Sequence, residues 1–302
     1  DRPWLDLSTG INPHRWPGVD TIAIDWHRLP EREAIAGLEA AAAAHFGAPP
    51  HQVCAVPGSE IGLRLIGRVI GRTAHQIAPS YRTHGEIFAD TKPVARDEMH
   101  CVDGTLVLAN PNNPDGYIVD RERLEALIAR RDGWLLVDEA FADCDPAISA
   151  APRVRDDARL VIFRSFGKFF GLAGVRLGFV IGPPPILDPL RALLGAWPVS
   201  AAAVAIGTAA YRDRSWIAAM RERLDGDATA LDTMLARHGL SLTGDCPLFR
   251  LVDTENPGEL FDRLARAAIL TRPFADQPRW LRLGLPGSAD AFARLDAALA
   301  HG

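Results

Sequence analysis

The stretch Arg164-Ser165-Phe166-Gly167-Lys168-Phe169-Phe170-Gly171-Leu172-Ala173-Gly174-Val175-Arg176 places one lysine among aromatic and glycine residues. Only two of the 33 lysine and arginine residues in this 302-residue chain are lysines, Lys92 and Lys168. A lysine can lose its proton when it is desolvated, whereas an arginine cannot, so a lysine in this apolar setting suggests an amine for covalent chemistry. The alternative is a lysine that extends from a surface turn.

Three further motifs come earlier in the chain, each at the end of a predicted strand or the start of the next helix. They are Ala55-Val56-Pro57-Gly58-Ser59-Glu60, Leu108-Ala109-Asn110-Pro111-Asn112-Asn113-Pro114-Asp115-Gly116 and Trp134-Leu135-Leu136-Val137-Asp138-Glu139-Ala140-Phe141. Open α/β sheets place their ligand sites at these positions. The first motif fits either a phosphate at a helix N-terminus or a plain helix cap with Ser59 as the capping side chain. The second could be only a turn, since Asn and Pro are ordinary turn formers.

The strand that ends in Asp138 and Glu139 could also belong to a nucleotide hydrolase. That class needs a GxxxxGK[ST] loop. In this chain the Gly167-Lys168 pair is followed by Phe169, and Ile162 stands where the first glycine should be. We therefore exclude this class.

Helical patterns alternate with short apolar runs between about 36 and 183, which is typical of βα units around a mostly parallel sheet. The predicted strands of this sheet are 52–56, 105–109, 134–137, 160–163 and 177–181, and the predicted helices are 33–45, 60–70, 187–194 and 201–238. An α+β pattern follows, with strands 248–252 and 280–283 and helices 259–268 and 289–299. We expect an N-terminal segment 1–35, a large α/β domain 36–204 and a smaller α+β domain 205–302.

Composition excludes several classes of protein. The chain is 48% hydrophobic and 24% charged with a net charge of −5, and no basic stripe indicates binding to nucleic acid or to a membrane surface. No apolar stretch approaches the ~18–20 residues of a membrane span. The four cysteines are far apart and show no metal-ligand spacing, which favours a reduced, cytoplasmic compartment and predicts no metal site. Because the chain opens with Asp1 rather than Met, we expect that its natural N-terminus lies upstream.

Together the motifs supply an amine, a carboxylate, an amide and phosphate ligands, which are the groups that pyridoxal phosphate requires. The order Asn-Pro-x-Asn-Pro-Asp-Gly, Asp-Glu-Ala-Phe and Ser-x-x-Lys, with an arginine eight residues later, resembles the fold-type I aminotransferases. The resemblance implies the aspartate aminotransferase fold, with a mostly parallel central sheet in a large domain and a smaller α+β domain. It also implies pyridoxal 5'-phosphate as the cofactor.

The resemblance assigns the cofactor site by position. It implies that Lys168 holds the cofactor covalently, that Asp138 pairs with the pyridine nitrogen, and that Asn113 contacts the ring hydroxyl next to a cis Asn113–Pro114 bond. The implied phosphate ligands are Ser165, Arg176 and the backbone at Gly58, Ser59 and Glu60. The aromatic side chain that stacks on the pyridine ring falls on His84, with Tyr81 as the second candidate.

Substrate contacts are implied in the same way. Arg282, in Leu281-Arg282-Leu283-Gly284, matches the arginine that binds the substrate α-carboxylate. Asn113, Gly10 and Asn12 are the other implied substrate contacts.

Within the family, the chain most resembles the threonine-phosphate decarboxylases of cobalamin biosynthesis. Histidinol-phosphate aminotransferases usually carry a tyrosine at Leu29 and at Phe141, and both hydroxyls are missing here. Trp16 replaces a tyrosine that is common in this branch, which predicts an altered substrate entrance. The upstream His-Gly-Gly stretch of the branch would precede Asp1. The segments that carry the resemblance are Trp4-Leu5-Asp6-Leu7-Ser8-Thr9-Gly10-Ile11-Asn12-Pro13, Trp26-His27-Arg28-Leu29-Pro30, 138–143 and 165–178.

This resemblance implies decarboxylation of L-threonine O-3-phosphate to (R)-1-amino-2-propanol O-2-phosphate by a homodimer. The residues themselves do not show which bond at the substrate Cα breaks. Aminotransfer on a phosphorylated amino acid or amine, such as histidinol phosphate, is therefore the alternative. A third hypothesis is a ligand sensor built on the same scaffold.

Overall fold

The computed structural model describes residues 3–71 and 73–300. The strands are β1 Leu5–Asp6, β2 Val53–Val56, β3 Thr73–Ile77, β4 Asp90–Val94, β5 Leu106–Ala109, β6 Leu135–Asp138, β7 Leu160–Ser165, β8 Gly178–Ile181, β9 Ser241–Thr243, β10 Phe249–Asp253, β11 Ile269–Leu270, β12 Arg272–Pro273 and β13 Trp280–Gly284. The helices are α1 Arg32–Phe46, α2 Ser59–Ile70, α3 Arg121–Arg130, α4 Phe166–Phe169, α5 Pro184–Leu194, α6 Ala201–Arg212, α7 Arg214–Arg237, α8 Pro257–Arg266 and α9 Ala289–Ala300. Among these residues, no helix combines the length and the apolar character that crossing a membrane requires.

A seven-stranded sheet with the order β2-β8-β7-β6-β5-β3-β4 forms the centre of the structure. β8 runs antiparallel to both of its neighbours, and the other pairs are parallel. The predicted mostly parallel sheet is therefore confirmed. Alternate residues of a strand enter two different cores. In β6, for example, Leu135 and Val137 belong to one cluster and Leu136 to the other. Apolar layers therefore cover both faces of the sheet, which explains why its strands are continuously apolar.

The structure adds elements that the apolar runs do not reveal. The strands β3 and β4 are polar in sequence (Thr-Ala-His-Gln-Ile and Asp-Thr-Lys-Pro-Val), and β4 is the exposed edge of the sheet. The expected single helix 201–238 is wrong, because it is divided at Asp213. The carboxylate of Asp213 accepts a hydrogen bond from the backbone of Trp216 and caps α7.

A second, antiparallel sheet has the order β12-β13-β10-β9, and its register places Arg272 directly opposite Arg282. Near the start of the chain, β1 pairs in parallel with β11, so the N-terminal segment is bonded to the C-terminal region. The expected domain bounds at 36 and 205 stay predictions.

The N-terminal segment also contacts α4, which carries Lys168, and the turn that follows it. The backbone amide of Asn12 donates to the Lys168 carbonyl at 2.9 Å, and the amide of Trp16 donates to the Phe170 carbonyl at 2.9 Å. Gly171 has φ +66°, and a Cβ placed there would lie 2.7 Å from the Asn12 carbonyl oxygen and 2.8 Å from the Arg15 Cα. The close approach of these two segments therefore depends on a glycine.

Trp16 does not shape a substrate entrance as expected. Its side chain is 5% exposed, and its indole nitrogen donates to Asp213 Oδ2 at 3.0 Å. Burial of its large apolar ring instead fixes the N-terminal segment against the junction of α6 and α7.

We predict that Gly171→Ala destabilises the fold by about 2–4 kcal/mol, because a side chain there meets backbone atoms and prefers negative φ. Gly174→Ala is the matched control, since a Cβ at Gly174 has no heavy atom within 4 Å and no positive φ. It should change stability by less than about 0.5 kcal/mol. Chemical denaturation of both variants measures the difference, and equal midpoints would contradict the prediction.

Candidate active site

The four sequence motifs meet in one cavity at the carboxyl ends of β5, β6 and β7. The cavity encloses about 790 Å³ including the part open to solvent, a size suited to a small molecule. The structure brings together eight of the predicted site residues in its lining: Gly58, Ser59, Glu60, Asn113, Asp138, Ser165, Lys168 and Arg176. Other lining residues are Tyr81, Ala109, Pro111, Ala140, Phe141, Gly167, Ala173 and Leu177.

Lys168 lies on α4, one turn after the end of β7, and its Nζ is 5.6 Å from the ring centroid of Phe141. Burial lowers its pKa below the ordinary value of 10.5, and the positive charges of Arg282 and Arg176 lower it further. The carboxylate of Asp138 acts in the opposite direction. The net effect makes the neutral, nucleophilic amine available at a lower pH than in an exposed lysine.

Asp138 ends β6 and is 6% exposed. Its Oδ1 accepts a hydrogen bond from the Ala140 amide at 3.1 Å, and its Oδ2 lies 3.0 Å from His84 Nε2. His84 is fully buried and does not line the cavity, so the expected stacking role of His84 is corrected. Tyr81, the second candidate, lines the cavity and packs edge-on against His84 with ring centroids 5.7 Å apart.

One end of the cavity carries positive charge. Gly58, with φ +93°, is the N-cap of α2, and no side chain caps this helix, so the alternative of a Ser59 cap is wrong. A Cβ on Gly58 would lie 2.6 Å from Arg176 Nη2. The glycine therefore lets the guanidinium approach the first backbone amides of α2, and both carry positive charge.

The predicted arginine on β13 lies beside this cavity. Arg282 is 8% exposed and donates from Nη1 to Asn113 Oδ1 at 2.5 Å and from Nη2 to the Ser8 carbonyl at 2.9 Å. These acceptors are neutral, and no carboxylate of the described residues pairs with Arg282. Burial and the charge of Arg272, which sequence reasoning passed over, lower the pKa of Arg282 to about 10. The guanidinium thus keeps its charge at neutral pH without a counter-ion.

Gly10 and Asn12 do not contact an open part of the cavity, which corrects their expected roles. Asn12 is 2% exposed; its amide nitrogen donates to the Phe169 carbonyl at 2.7 Å and its Oδ1 accepts from the His14 amide at 2.8 Å. A Cβ on Gly10 would lie 2.9 Å from Phe141. Both residues brace the wall that carries Lys168 and Phe141. The expected cis Asn113–Pro114 bond is confirmed.

A buried charge network behind the cavity was missed from sequence. Arg164 is 2% exposed and pairs with Glu139 at 2.8 Å and with Asp143, and His45 Nε2 lies 2.9 Å from Asp143 Oδ1. The sequence does contain a signal for three of these residues, because Glu139, Asp143 and Arg164 lie inside or beside the quoted motifs. His45 comes from α1 and has no such signal.

Residues 25–295 match the family of class I and II aminotransferases, and the chain belongs to this family. The threonine-phosphate decarboxylase of Pseudomonas aeruginosa is 41% identical over 98% of this chain and 91% of its own length. The protein of the same name from a Sinorhizobium species is 39% identical over 99% and 92%. The histidinol-phosphate aminotransferase of Sodalis glossinidius is 29% identical over 95% and 83%.

Solved structures confirm the predicted fold class. The histidinol-phosphate aminotransferase from Sinorhizobium meliloti, in complex with pyridoxal-5'-phosphate, has a TM-score of 0.85 and 23% identity, covering 99% of this chain and 90% of that one. The L-threonine-O-3-phosphate decarboxylase from Porphyromonas gingivalis has a TM-score of 0.83 and 16% identity, covering 98% of each chain. At these identities the likeness establishes the fold.

We predict that acylation of the Lys168 amine by acetic anhydride, followed by peptide mass spectrometry, has a pH midpoint below 10.5. Arg282→Gln should move this midpoint to higher pH, because the removal of a nearby positive charge favours the protonated amine. The peptide that contains Lys92 provides an internal reference for the reagent. A midpoint that stays in place or moves to lower pH in Arg282→Gln would contradict the assignment.

Proposed function

We propose that this chain is a pyridoxal phosphate-dependent threonine-phosphate decarboxylase. It converts L-threonine O-3-phosphate to (R)-1-amino-2-propanol O-2-phosphate and CO₂, a step of cobalamin biosynthesis. The observation that carries this proposal is one lysine whose pKa is lowered by burial and by two positive charges, those of Arg282 on β13 and of Arg176 beside the start of α2. Relatives of that name, 41% and 39% identical over nearly the whole chain, support it.

The residues present fit pyridoxal phosphate. The aldehyde of this cofactor needs an amine, its pyridine nitrogen a carboxylate and its phosphate an anion site. The cavity offers Lys168 as the amine, Asp138 as the carboxylate, and the start of α2 with Arg176 as the anion site. The space that a side chain on Gly58 would fill is occupied by the Arg176 guanidinium, so this end is shaped for an anion. Ser165 lines the cavity as a further ligand for the phosphate, and the ring of Tyr81 lines it as well.

When bound, pyridoxal phosphate accepts the electron pair that remains on the substrate Cα after one of its bonds breaks. The carboxylate of Asp138 would hold a proton at the pyridine nitrogen, and His84 and the Ala140 amide keep this carboxylate in place. In decarboxylation the carboxylate leaves as CO₂ and one proton is added at Cα. Lys168 is the titratable group of the cavity whose lowered pKa suits delivery of that proton.

The substrate supplies the missing negative charge. Threonine phosphate carries a carboxylate and a phosphate, and Arg282 and Arg272 are adjacent on β13 and β12. A buried guanidinium without a carboxylate costs stability until an anion binds, so Arg282 favours a substrate with an anionic group. We assign the α-carboxylate to Arg282 and the phosphate to Arg272.

We also propose that the protein is a cytoplasmic homodimer. Trp26 and Leu29 in the N-terminal segment are 76% and 61% exposed, which leaves apolar surface for a second copy of the chain. The four cysteines are unpaired, which supports a reducing compartment.

We predict that the protein, loaded with pyridoxal phosphate, releases CO₂ from L-threonine O-3-phosphate. L-Threonine should react at least about tenfold more slowly at equal concentration, because a charged contact contributes about 1.5–3 kcal/mol. Release of ¹⁴CO₂ from carboxyl-labelled substrate measures both rates. Formation of a keto product from histidinol phosphate, without CO₂ from threonine phosphate, would support aminotransfer and overturn the proposal.

We predict that Lys168→Ala abolishes the visible absorbance band that appears when the wild-type chain is mixed with pyridoxal phosphate. Activity should fall on the order of 10³-fold or more, because both the covalent link and the proton donor are lost. Lys92→Ala, which removes the only other lysine, is the matched control and should keep the band and the activity. A wild-type chain that stays colourless would instead support a ligand sensor.

A further inference from the structure

Glu60, the second residue of α2, connects the anion end of the cavity to Tyr81. Its Oε2 accepts a hydrogen bond from the Tyr81 hydroxyl at 3.2 Å. Its Oε1 accepts from Arg64 Nε at 3.2 Å and from Arg64 Nη2 at 3.1 Å, and the Thr83 hydroxyl is 3.4 Å away. The carboxylate of Glu60, on the first turn of α2, therefore accepts hydrogen bonds both from the helix and from the segment that carries Tyr81.

Two contacts fix the position of the Tyr81 ring. Its hydroxyl is bonded to Glu60, and its ring is nearly perpendicular to that of His84, with an interplanar angle of 88°. His84 is itself held by Asp138. The Tyr81 hydroxyl lies on the axis about which the ring rotates, so its bond to Glu60 fixes the direction of that axis, and the His84 contact limits rotation of the ring about it.

The protonation states suit this arrangement. Burial raises the pKa of Tyr81, and the charges of Glu60 and Asp138 raise it further although the Thr83 hydroxyl opposes, so the hydroxyl keeps its proton. Burial opposes ionisation of Glu60, but hydrogen bonds from Arg64 and Tyr81 outweigh it and lower the pKa of this carboxyl. At neutral pH a phenol thus donates to a carboxylate, a stronger contact than one between neutral groups.

We propose that Glu60 is a positioning residue that sets the Tyr81 ring against the bound cofactor. The same residue contributes its backbone to the helix start that would bind the cofactor phosphate, so phosphate and ring are aligned through one turn of α2. This inference rests on the proposed function, since it requires that pyridoxal phosphate binds in the cavity.

The ion pair with Arg64 does not account for Glu60. An exposed pair four residues apart on a helix contributes only about 0.3–0.5 kcal/mol. Arg64 Nη2 also donates to Glu86 Oε2 at 2.8 Å, so the arginine stays paired without Glu60. Removal of Glu60 deprives the Tyr81 and Thr83 hydroxyls of this acceptor, and of the two only Tyr81 lines the cavity.

The test compares Glu60→Ala, Glu60→Gln and the matched control Glu86→Ala. Glu60 and Glu86 have equally exposed side chains, 41% each, and both bind Arg64, but only Glu60 binds Tyr81. Glu60→Ala should weaken pyridoxal phosphate binding about three- to tenfold and reduce the visible circular dichroism of the bound cofactor. Glu60→Gln should restore most of both signals, because its amide oxygen accepts from the tyrosine. Glu86→Ala should stay within about twofold of wild type.

A double-mutant cycle with Tyr81→Phe separates positioning from a general loss of structure. In the Tyr81→Phe background, Glu60→Ala should add less than about twofold, because the hydroxyl through which Glu60 acts is already absent. Thermal unfolding of the cofactor-free variants should give similar midpoints for Glu60→Ala and Glu86→Ala.

Different outcomes separate this inference from the function on which it rests. The positioning role would be overturned by an undiminished effect of Glu60→Ala in the Tyr81→Phe background, or by equal cofactor binding in Glu60→Ala and Glu86→Ala. Neither result would affect the proposed function as long as the wild-type chain binds pyridoxal phosphate. Failure of the wild-type chain to bind pyridoxal phosphate would overturn the proposed function and this role with it.

Discussion

The buried guanidinium of Arg164 is the constraint on which the site depends. It lies at the end of β7, and its partners Glu139 and Asp143 follow the end of β6. Separating such charges inside a protein leaves one of them unpaired, at a cost of about 3–5 kcal/mol. The two strand ends are therefore held side by side. Asp138, next to Glu139, thus lies near Lys168 on α4.

The front of the same site carries a positive charge that has no carboxylate partner among the described residues. Arg282 is buried between two neutral acceptors, and its charge favours the neutral form of Lys168. This arrangement costs stability in the empty protein, as buried unpaired charges do. Behind the cavity the guanidinium of Arg164 thus has two carboxylate partners, which hold the strands together, whereas in front the guanidinium of Arg282 has none in the part of the chain that the structure describes.

The sequence predicted well the parts of the fold that are buried on both sides, because a covered strand must be continuously apolar. β3 and β4 escaped prediction since an edge of a sheet tolerates polar residues such as those in Asp90–Val94. In the site, motif spacing located Lys168 and Asp138. It favoured His84 over Tyr81, three residues earlier, because only the backbone turn decides which ring enters the cavity.

Arg282 joins distant parts of the chain at one point. Its guanidinium bonds to the Ser8 carbonyl, 274 residues away in sequence, and to Asn113, 169 residues away. During synthesis, the large sheet can assemble on the ribosome well before β13 has left the exit tunnel. A nascent chain whose sheet has assembled in this way has Lys168 in place before Arg282 is available, so the positive charge of Arg282 joins the cavity late in folding.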